Sequence, residues 1–232
     1  MTVLEGLAAR PLVPLVDVPM TIAGISSTNV MNAMQAASAA LGIGLPHRAV
    51  AKGLRSFVLD PERNPGRANL FSLDGRVIVI DYAHNEAGMI GLTELCDGLR
   101  RARREIWLAI CTAGDRSNDI LHAFAYRAAR GADHVVIAEL LRYLRGRDRQ
   151  DIVERFRAGA LDGGAESLDV YADELSALRG MLDRSRRGDV VAVTALGMRP
   201  EIFRWLRDND AESLLPGKVK RLVASVGASR SR

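Results

Sequence analysis

Cysteine is scarce in this chain: Cys96 and Cys111 are the only two in 232 residues. They share no metal-type spacing and offer at most one disulfide, which excludes a zinc ribbon and a disulfide-stapled secreted scaffold. Two free thiols in a reducing, cytoplasmic setting are expected instead. Long apolar runs are also missing. No stretch approaches the roughly 18 residues of a membrane span, and the start lacks the basic-then-apolar pattern of a secretory leader. Charge of one sign is thin, since Lys+Arg 32 against Asp+Glu 28 leaves only +4. That surplus does not announce a nucleic-acid protein, and RRARR at 100–104 reads as cations at a helix end. Lysine occurs only at positions 52, 218 and 220. What is present is ordinary globular material, 48% hydrophobic and 26% charged, with room for one large or two small domains.

The first 17 residues are apolar but broken by Pro11 and Pro14, so they can hold a short strand but no complete unit. From Asn29, VMNAMQAASAALGIG predicts a helix stopped by Gly42 and Gly44. HRAVAKGLRSF repeats apolar residues at helical spacing, and the two helices should pack side by side. LDPERNPGR, at 59–67, is a linker or an ordered loop. Strands and helices then alternate. A hairpin is expected about Asp74-Gly75, helices over 87–103, 118–130 and 148–160, and strands at EIWLAIC, DHVVIAEL, SLDVYA and DVVAVTALG. A further helix, DELSALRGMLDRS, precedes the last strand. Short apolar strands between amphipathic helices imply an α/β fold with a mostly parallel sheet, helices on both faces, and a small helical segment ahead of it. The final GASRSR is small, polar and expected to fray.

In such sheets ligands bind beyond the carboxyl ends of the strands. DYAHN, TAGDRSND, AELLRYLRGR and TALGM all follow strands and should share one rim. Taken singly, each admits a plain reading. Asp81 or Asp115 could cap the next helix, His84 could be a surface residue, and the arginines could be solvated. His47, His122 and His134 show no metal spacing, so no metal site is expected, and Trp107 and Trp205 read as packing residues.

As an ordered set the motifs carry more. A PGR loop, a hairpin strand ending in DYAHN and a strand ending in GDR resemble the C-terminal part of the Mur ligase superfamily. Within it, TNVMNAMQAASAALGIG, NPGRANLFSLDGRVIVIDYAHN and LRGR at 144–147 resemble the cyanophycin synthetase ligase region. The resemblance covers roughly residues 17–205. It implies a Rossmann-like fold and an ATP-dependent ligase that activates a carboxylate as an acyl phosphate and traps it with an amino-acid amine. It also implies a division into a remnant of the central ATPase domain (1–60), a linker loop (61–67), the C-terminal domain (68–225) and a flexible tail (226–232).

Carried over by position, Asn29 and Asn32 match residues that hold adenine, for which a side-chain amide offers both donor and acceptor. Arg67 matches the arginine at the ribose and α-phosphate, and Asp81 the carboxylate on the ribose hydroxyls. His84 and Asn85 match positions near the reaction centre and stand as the catalytic candidates. Asp115 and Arg116 match the GDR that meets the incoming amino acid, Arg116 pairing with its carboxylate; Asn118, Arg145 and Arg147 are candidates for the same pocket. The implied ligands are ATP, an amino acid and a carboxylate acceptor.

Three features depart from the family pattern. Thr28 replaces a histidine beside the adenine pocket, Glu86 replaces a proline, and SND after GDR replaces an acidic run, which weakens arginine as the added amino acid. A larger departure is that the sequence contains no G-x-x-x-x-G-K-[ST] loop to cradle β- and γ-phosphates, and no lysine placed to be carbamylated. Phosphoryl transfer, and Mg²⁺ with it, is therefore expected to need a missing segment or a separate chain carrying that loop. A homo-oligomer and a non-catalytic binding module derived from such a ligase are the other expectations. No nucleic-acid or membrane partner is expected.

Overall fold

The computed structural model describes residues 1–5 and 8–230. Its N-terminal segment opens on an antiparallel pair, β1 (Thr2–Glu5) and β2 (Ala8–Pro11), where the sequence suggested a short strand. Helices α1 (Ser27–Gly42) and α2 (His47–Ser56) follow and pack together, with Ala33, Ala37, Val50, Ala51 and Leu54 sharing a small core with Leu12, Val13 and Val18.

The larger body is the expected α/β alternation. It runs β3 (Asn69–Leu73), β4 (Arg76–Asp81), α3 (Glu86–Leu99), β5 (Ile106–Ile110), α4 (Asn118–Gly131), β6 (His134–Ala138), α5 (Arg149–Asp162) and β7 (Val170–Tyr171). It continues through α6 (Glu174–Arg184), β8 (Val190–Thr194), α7 (Arg199–Asp208), β9 (Glu212–Ser213) and α8 (Pro216–Arg230). The sheet order is β7-β6-β5-β8-β4-β3-β9, parallel from β7 to β4 and antiparallel at β3 and β9. The β3–β4 turn has φ +49 at Asp74 and +76 at Gly75, the left-handed pair that an Asp-Gly hairpin supplies.

Side-chain alternation along the strands divides the core in two. Ile78 and Ile80 of β4 join Val191 and Val193 of β8 on the face covered by α6 and α7. Val77, Val79, Val190 and Ala192 point the other way, toward α3, α4, α5 and α8. Phe124 and Phe156 are fully buried on that second face with ring centroids 6.1 Å apart. Each such side chain contributes about 1.5–3 kcal/mol relative to exposure.

Two expectations change. The helix expected over 87–103 ends at Leu99, where the Arg100 N–H returns to the Asp97 carbonyl, so RRARR lies beyond the helix. The tail expected to be flexible from 226 is helical as far as Arg230. Val226 is buried there, and Arg230 bonds the Asp97 carboxylate and the Arg100 carbonyl at 3.2 and 3.1 Å. Residues 231–232 lie outside the described residues. Among the described residues no helix is long and apolar enough to cross a membrane.

Candidate functional site

The parallel strands β4, β5 and β8 end on one edge, and Asp81, the last residue of β4, pairs with Thr194 of β8. The Asp60–Arg67 stretch is an ordered loop built against that edge. Asn69 accepts the Gly66 N–H at 2.7 Å and donates to the Asn64 carbonyl at 3.2 Å. Gly66 and Ala68 both take positive φ, +76 and +47, which turns the chain sharply on either side of Arg67. Asp81 accepts the Ala68 N–H at 2.9 Å and so fixes the exit of the turn. Burial pushes the Asp81 carboxyl above the usual carboxylate range, against the opposing pull of N–H groups from Ala68 and Ala83 and of the Arg67 charge.

Arg67 lies over the Tyr82 ring, 5.0 Å from its centroid, and Arg199 at the start of α7 lies 4.9 Å from the same centroid. Cation–π contact of this kind orients a guanidinium without consuming its hydrogen-bond donors. His84 Nδ1 is 2.9 Å from the Tyr82 carbonyl; a carbonyl only accepts, so Nδ1 carries the hydrogen. Asn85 caps α3, accepting the Gly88 N–H at 2.8 Å, and keeps its NH₂ for other partners. The helix cap that Asp81 could have supplied thus falls to Asn85.

Helix α1 brings the other wall. Ser26 caps it, accepting from the Asn29 N–H at 3.4 Å, and Asn29 and Asn32 lie 3.5 Å apart one turn into the helix. Close approach to α3 is made at its glycines: a Cβ on Gly91 would lie 2.3 Å from Thr28 Oγ1 of α1, and one on Gly98 would lie 3.0 Å from Ile25, two residues ahead of α1. Ser27 also donates to Glu94 at 2.6 Å. Between these walls is a cavity of about 430 Å³, lined by Asn29, Asn32, Arg67, Asp81, His84 and Asn85 among others. All six residues expected at the nucleotide or reaction centre therefore share one concave site.

His84 and Asn85 also line a second cavity, of about 580 Å³, with Arg116, Asp119 and Ile120 on its far side. The Arg116 Nε is buried with no hydrogen-bond partner among the described residues. The other substrate candidates line neither cavity, and among them Arg147 alone bonds Arg116, at its backbone carbonyl. Asp115 pairs with Arg145 at 2.5 Å, while Arg147 bonds Asp151 at 2.5 Å, the Arg116 carbonyl at 2.6 Å and the Asn118 side chain. Ser117, not Asp115, caps α4. Glu86 is held by Arg127 at 2.7 Å.

Residues 66–197, more than half of the chain, match the family model described as Mur ligase, glutamate ligase domain. The chain belongs to this family. It is 29% identical over 193 residues to the cyanophycin synthetase of Crocosphaera subtropica, covering 83% of this chain and 22% of that protein. It is also 29% identical over 206 residues to the UDP-N-acetylmuramyl-tripeptide synthetase of Deinococcus radiodurans, covering 86% of this chain and 40% of the relative. This Mur ligase chain thus spans between about a fifth and two fifths of the length of these relatives. In fold it is similar to the bifunctional folylpolyglutamate synthase/dihydrofolate synthase of Yersinia pestis, with a TM-score of 0.60, 17% identity, and coverage of 89% and 43%. E. coli FolC, solved in complex with DHPP and ADP, gives a TM-score of 0.57 at 17% identity, covering 88% of this chain and 42% of that one.

Two residues that shape this edge of the sheet carried no sequence signal. Tyr82 lies inside DYAHN, but its use as a platform depends on Arg199, far along the chain. Glu174 looks like a helix first-turn acid, yet it is fully buried and holds the turn before Arg199.

Proposed function

We propose that this chain forms the nucleotide- and amino-acid-holding part of an ATP-dependent acid–amino acid ligase of the Mur and cyanophycin synthetase type. The observation that carries this reading is the single cavity in which Asn29 and Asn32 of α1 face Arg67 and Asp81, with the Arg116 cavity across His84 and Asn85. Its volume, about 430 Å³, lies within the roughly 300–1,000 Å³ of ligand sites.

The donor set suits a nucleoside. The Asn29 and Asn32 amides offer paired donor and acceptor groups to a purine edge. Asp81 accepts the Ala68 N–H through one oxygen and lines the cavity, where its carboxylate can also accept from ribose hydroxyls. Arg67, oriented by Tyr82, presents its fork to phosphate oxygens. When bound, ATP supplies the phosphoryl group that activates the acceptor carboxylate. The part of this chain is to hold the base and ribose, fix the near phosphate, and bring an amino acid on Arg116 toward the same edge. His84 and Asn85, between the cavities, are placed to orient the reacting groups.

Among the described residues no group of three or more His, Cys, Asp or Glu side chains converges as a metal site requires. The sequence also lacks the glycine-rich lysine loop. Mg²⁺ and the outer phosphates are therefore assigned in this proposal to a segment or partner chain carrying that loop. The second reading is a non-catalytic binding module that keeps both pockets for regulation or assembly.

Calorimetric titration with ADP and with a panel of amino acids tests the first reading. Heat with ADP that is lost in Arg67→Ala, and heat with an amino acid that is lost in Arg116→Ala, supports it. Absence of heat in every titration of the unaltered chain sinks it. Addition of a phosphate-loop partner then separates ligase from module: amino-acid-dependent ATP consumption appears only for the ligase.

A further inference from the structure

Glu174 is the first residue of α6 and is 0% exposed. Its carboxylate does not face either cavity. Instead it receives the backbone of the β8–α7 turn. Oε1 accepts the N–H of Leu196 at 2.7 Å and of Gly197 at 2.9 Å, while Oε2 accepts from Gly197 at 3.2 Å and Met198 at 2.6 Å. The Cys111 thiol lies 3.1 Å from Oε1 and 2.8 Å from the Thr194 carbonyl, with one hydrogen to give to either. Both oxygens are thus committed as acceptors. A buried carboxylate satisfied in this way is strongly directional, since every lost bond leaves an N–H unpaired in a dry site.

The held turn ends at Met198, the N-cap of α7, and the next residue is Arg199. Arg199 lies with its guanidinium carbon 4.9 Å from the Tyr82 centroid, and its Nη1 donates to the Pro65 carbonyl at 3.4 Å. Its side chain also fills the space above Gly66, where a Cβ would meet Arg199 Cδ at 2.8 Å. Gly66 and Tyr82 are the two neighbours that orient Arg67 on the nucleotide-facing cavity.

We infer that Glu174 is a positioning residue for Arg67: it fixes the β8–α7 turn, the turn sets Arg199, and Arg199 steadies Tyr82 and the Pro65–Arg67 turn. The consequence for binding rests on the nucleotide reading given above, whereas the mechanical linkage does not. Glutamine is the informative replacement. It keeps the shape of Glu174 but must turn an NH₂ toward at least one backbone N–H, whichever way the amide lies.

The test is amide hydrogen exchange on the full chain without nucleotide, joined to ADP titration. In Glu174→Gln, the amides of residues 196–198 and of 66–68 are expected to exchange about tenfold faster, with the β5 amides unchanged. Arg199→Ala is expected to loosen 66–68 while leaving 196–198 protected, and Arg199→Lys to restore part of the loss. Should Glu174→Gln fail to fold, Glu174→Asp, which retains the charge but retracts it, provides the folded comparison. Loosening of 196–198 without any change at 66–68 overturns the inference, as does an Arg199→Ala chain with unaltered 66–68 exchange. ADP affinity is expected to fall about tenfold in both Glu174→Gln and Arg199→Ala. An unaltered chain that takes up no ADP counts against the nucleotide reading alone, and the exchange pattern then decides the positioning role.

Discussion

The carboxylate of Asp81 accepts the backbone N–H of Ala68 at 2.9 Å, so the end of a central strand is tied directly to the turn that carries Arg67. One acid therefore serves both the loop and the cavity, and it does so under a desolvation penalty. Burial raises its pKa above 3.8. The sign follows from linkage: the native state holds the Asp81 proton more tightly than the unfolded chain, so the contribution of this one group to stability is fully present below pH 3.8 and is lost as pH rises through its native pKa. Asp81→Asn, which retains an oxygen for Ala68, is expected to equal or exceed the parent in stability at pH 7. The difference should shrink toward zero at acid pH. Urea unfolding of both chains at pH 7 and pH 3 measures this, and a variant markedly less stable at pH 7 refutes it.

Gly66→Ala combines two penalties. The position has φ +76, and the new methyl would lie 2.8 Å from Arg199 Cδ. A left-handed non-glycine residue costs about 1–3 kcal/mol. The variant is expected to lose at least that in chemical unfolding. In the double variant with Arg199→Ala the steric part should return while the backbone part remains. Additive single losses would show that the two residues do not press on each other.

The sequence made the sheet readable but not its margins. RVIVID and DVVAVT are apolar runs bounded by turn signals, and Asp74-Gly75 fixes its hairpin by local backbone chemistry alone. The chemically rich loops were legible because they follow strands. Three things were not. Glu174 follows the Asp173 cap, where an acid is also what a helix dipole favours, so its burial depends on a turn formed much later. Arg199 and Tyr82 meet only once β8 lies beside β4. In α8, Val219, Leu222, Val223 and Val226 do follow helical spacing, a signal outweighed by the small polar residues around them.

Deletion of residues 226–232 tests that last point. A frayed tail would be dispensable. Here Val226 is 3% exposed, and Arg230 joins α8 to Asp97 at the end of α3. Loss of that burial is expected to lower unfolding free energy by about 2 kcal/mol. A thermal or urea midpoint equal to that of the full chain would argue for a tail that does not pack.

Both cysteines are buried and unlinked, and burial pushes both thiols upward, Cys111 further through the neighbouring Glu174 carboxylate. The thiolate is the reactive form. A disulfide-exchange reagent should therefore find no thiol in the native chain at pH 8 and two after unfolding in urea. Rapid native labelling of either would contradict the packing around β5 and α3.

The glycines along α3 have a wider consequence. Because Gly91 and Gly98 let α1 and the segment just ahead of it settle directly onto α3, the wall bearing Asn29 and Asn32 and the wall bearing Arg67 and Asp81 meet across a seam rather than along continuous chain. A molecule lodged between them would act as a rivet. By mass action its occupancy would strengthen the joint between the N-terminal segment and the sheet, so occupancy would be readable as resistance of residues 27–42 to proteolysis.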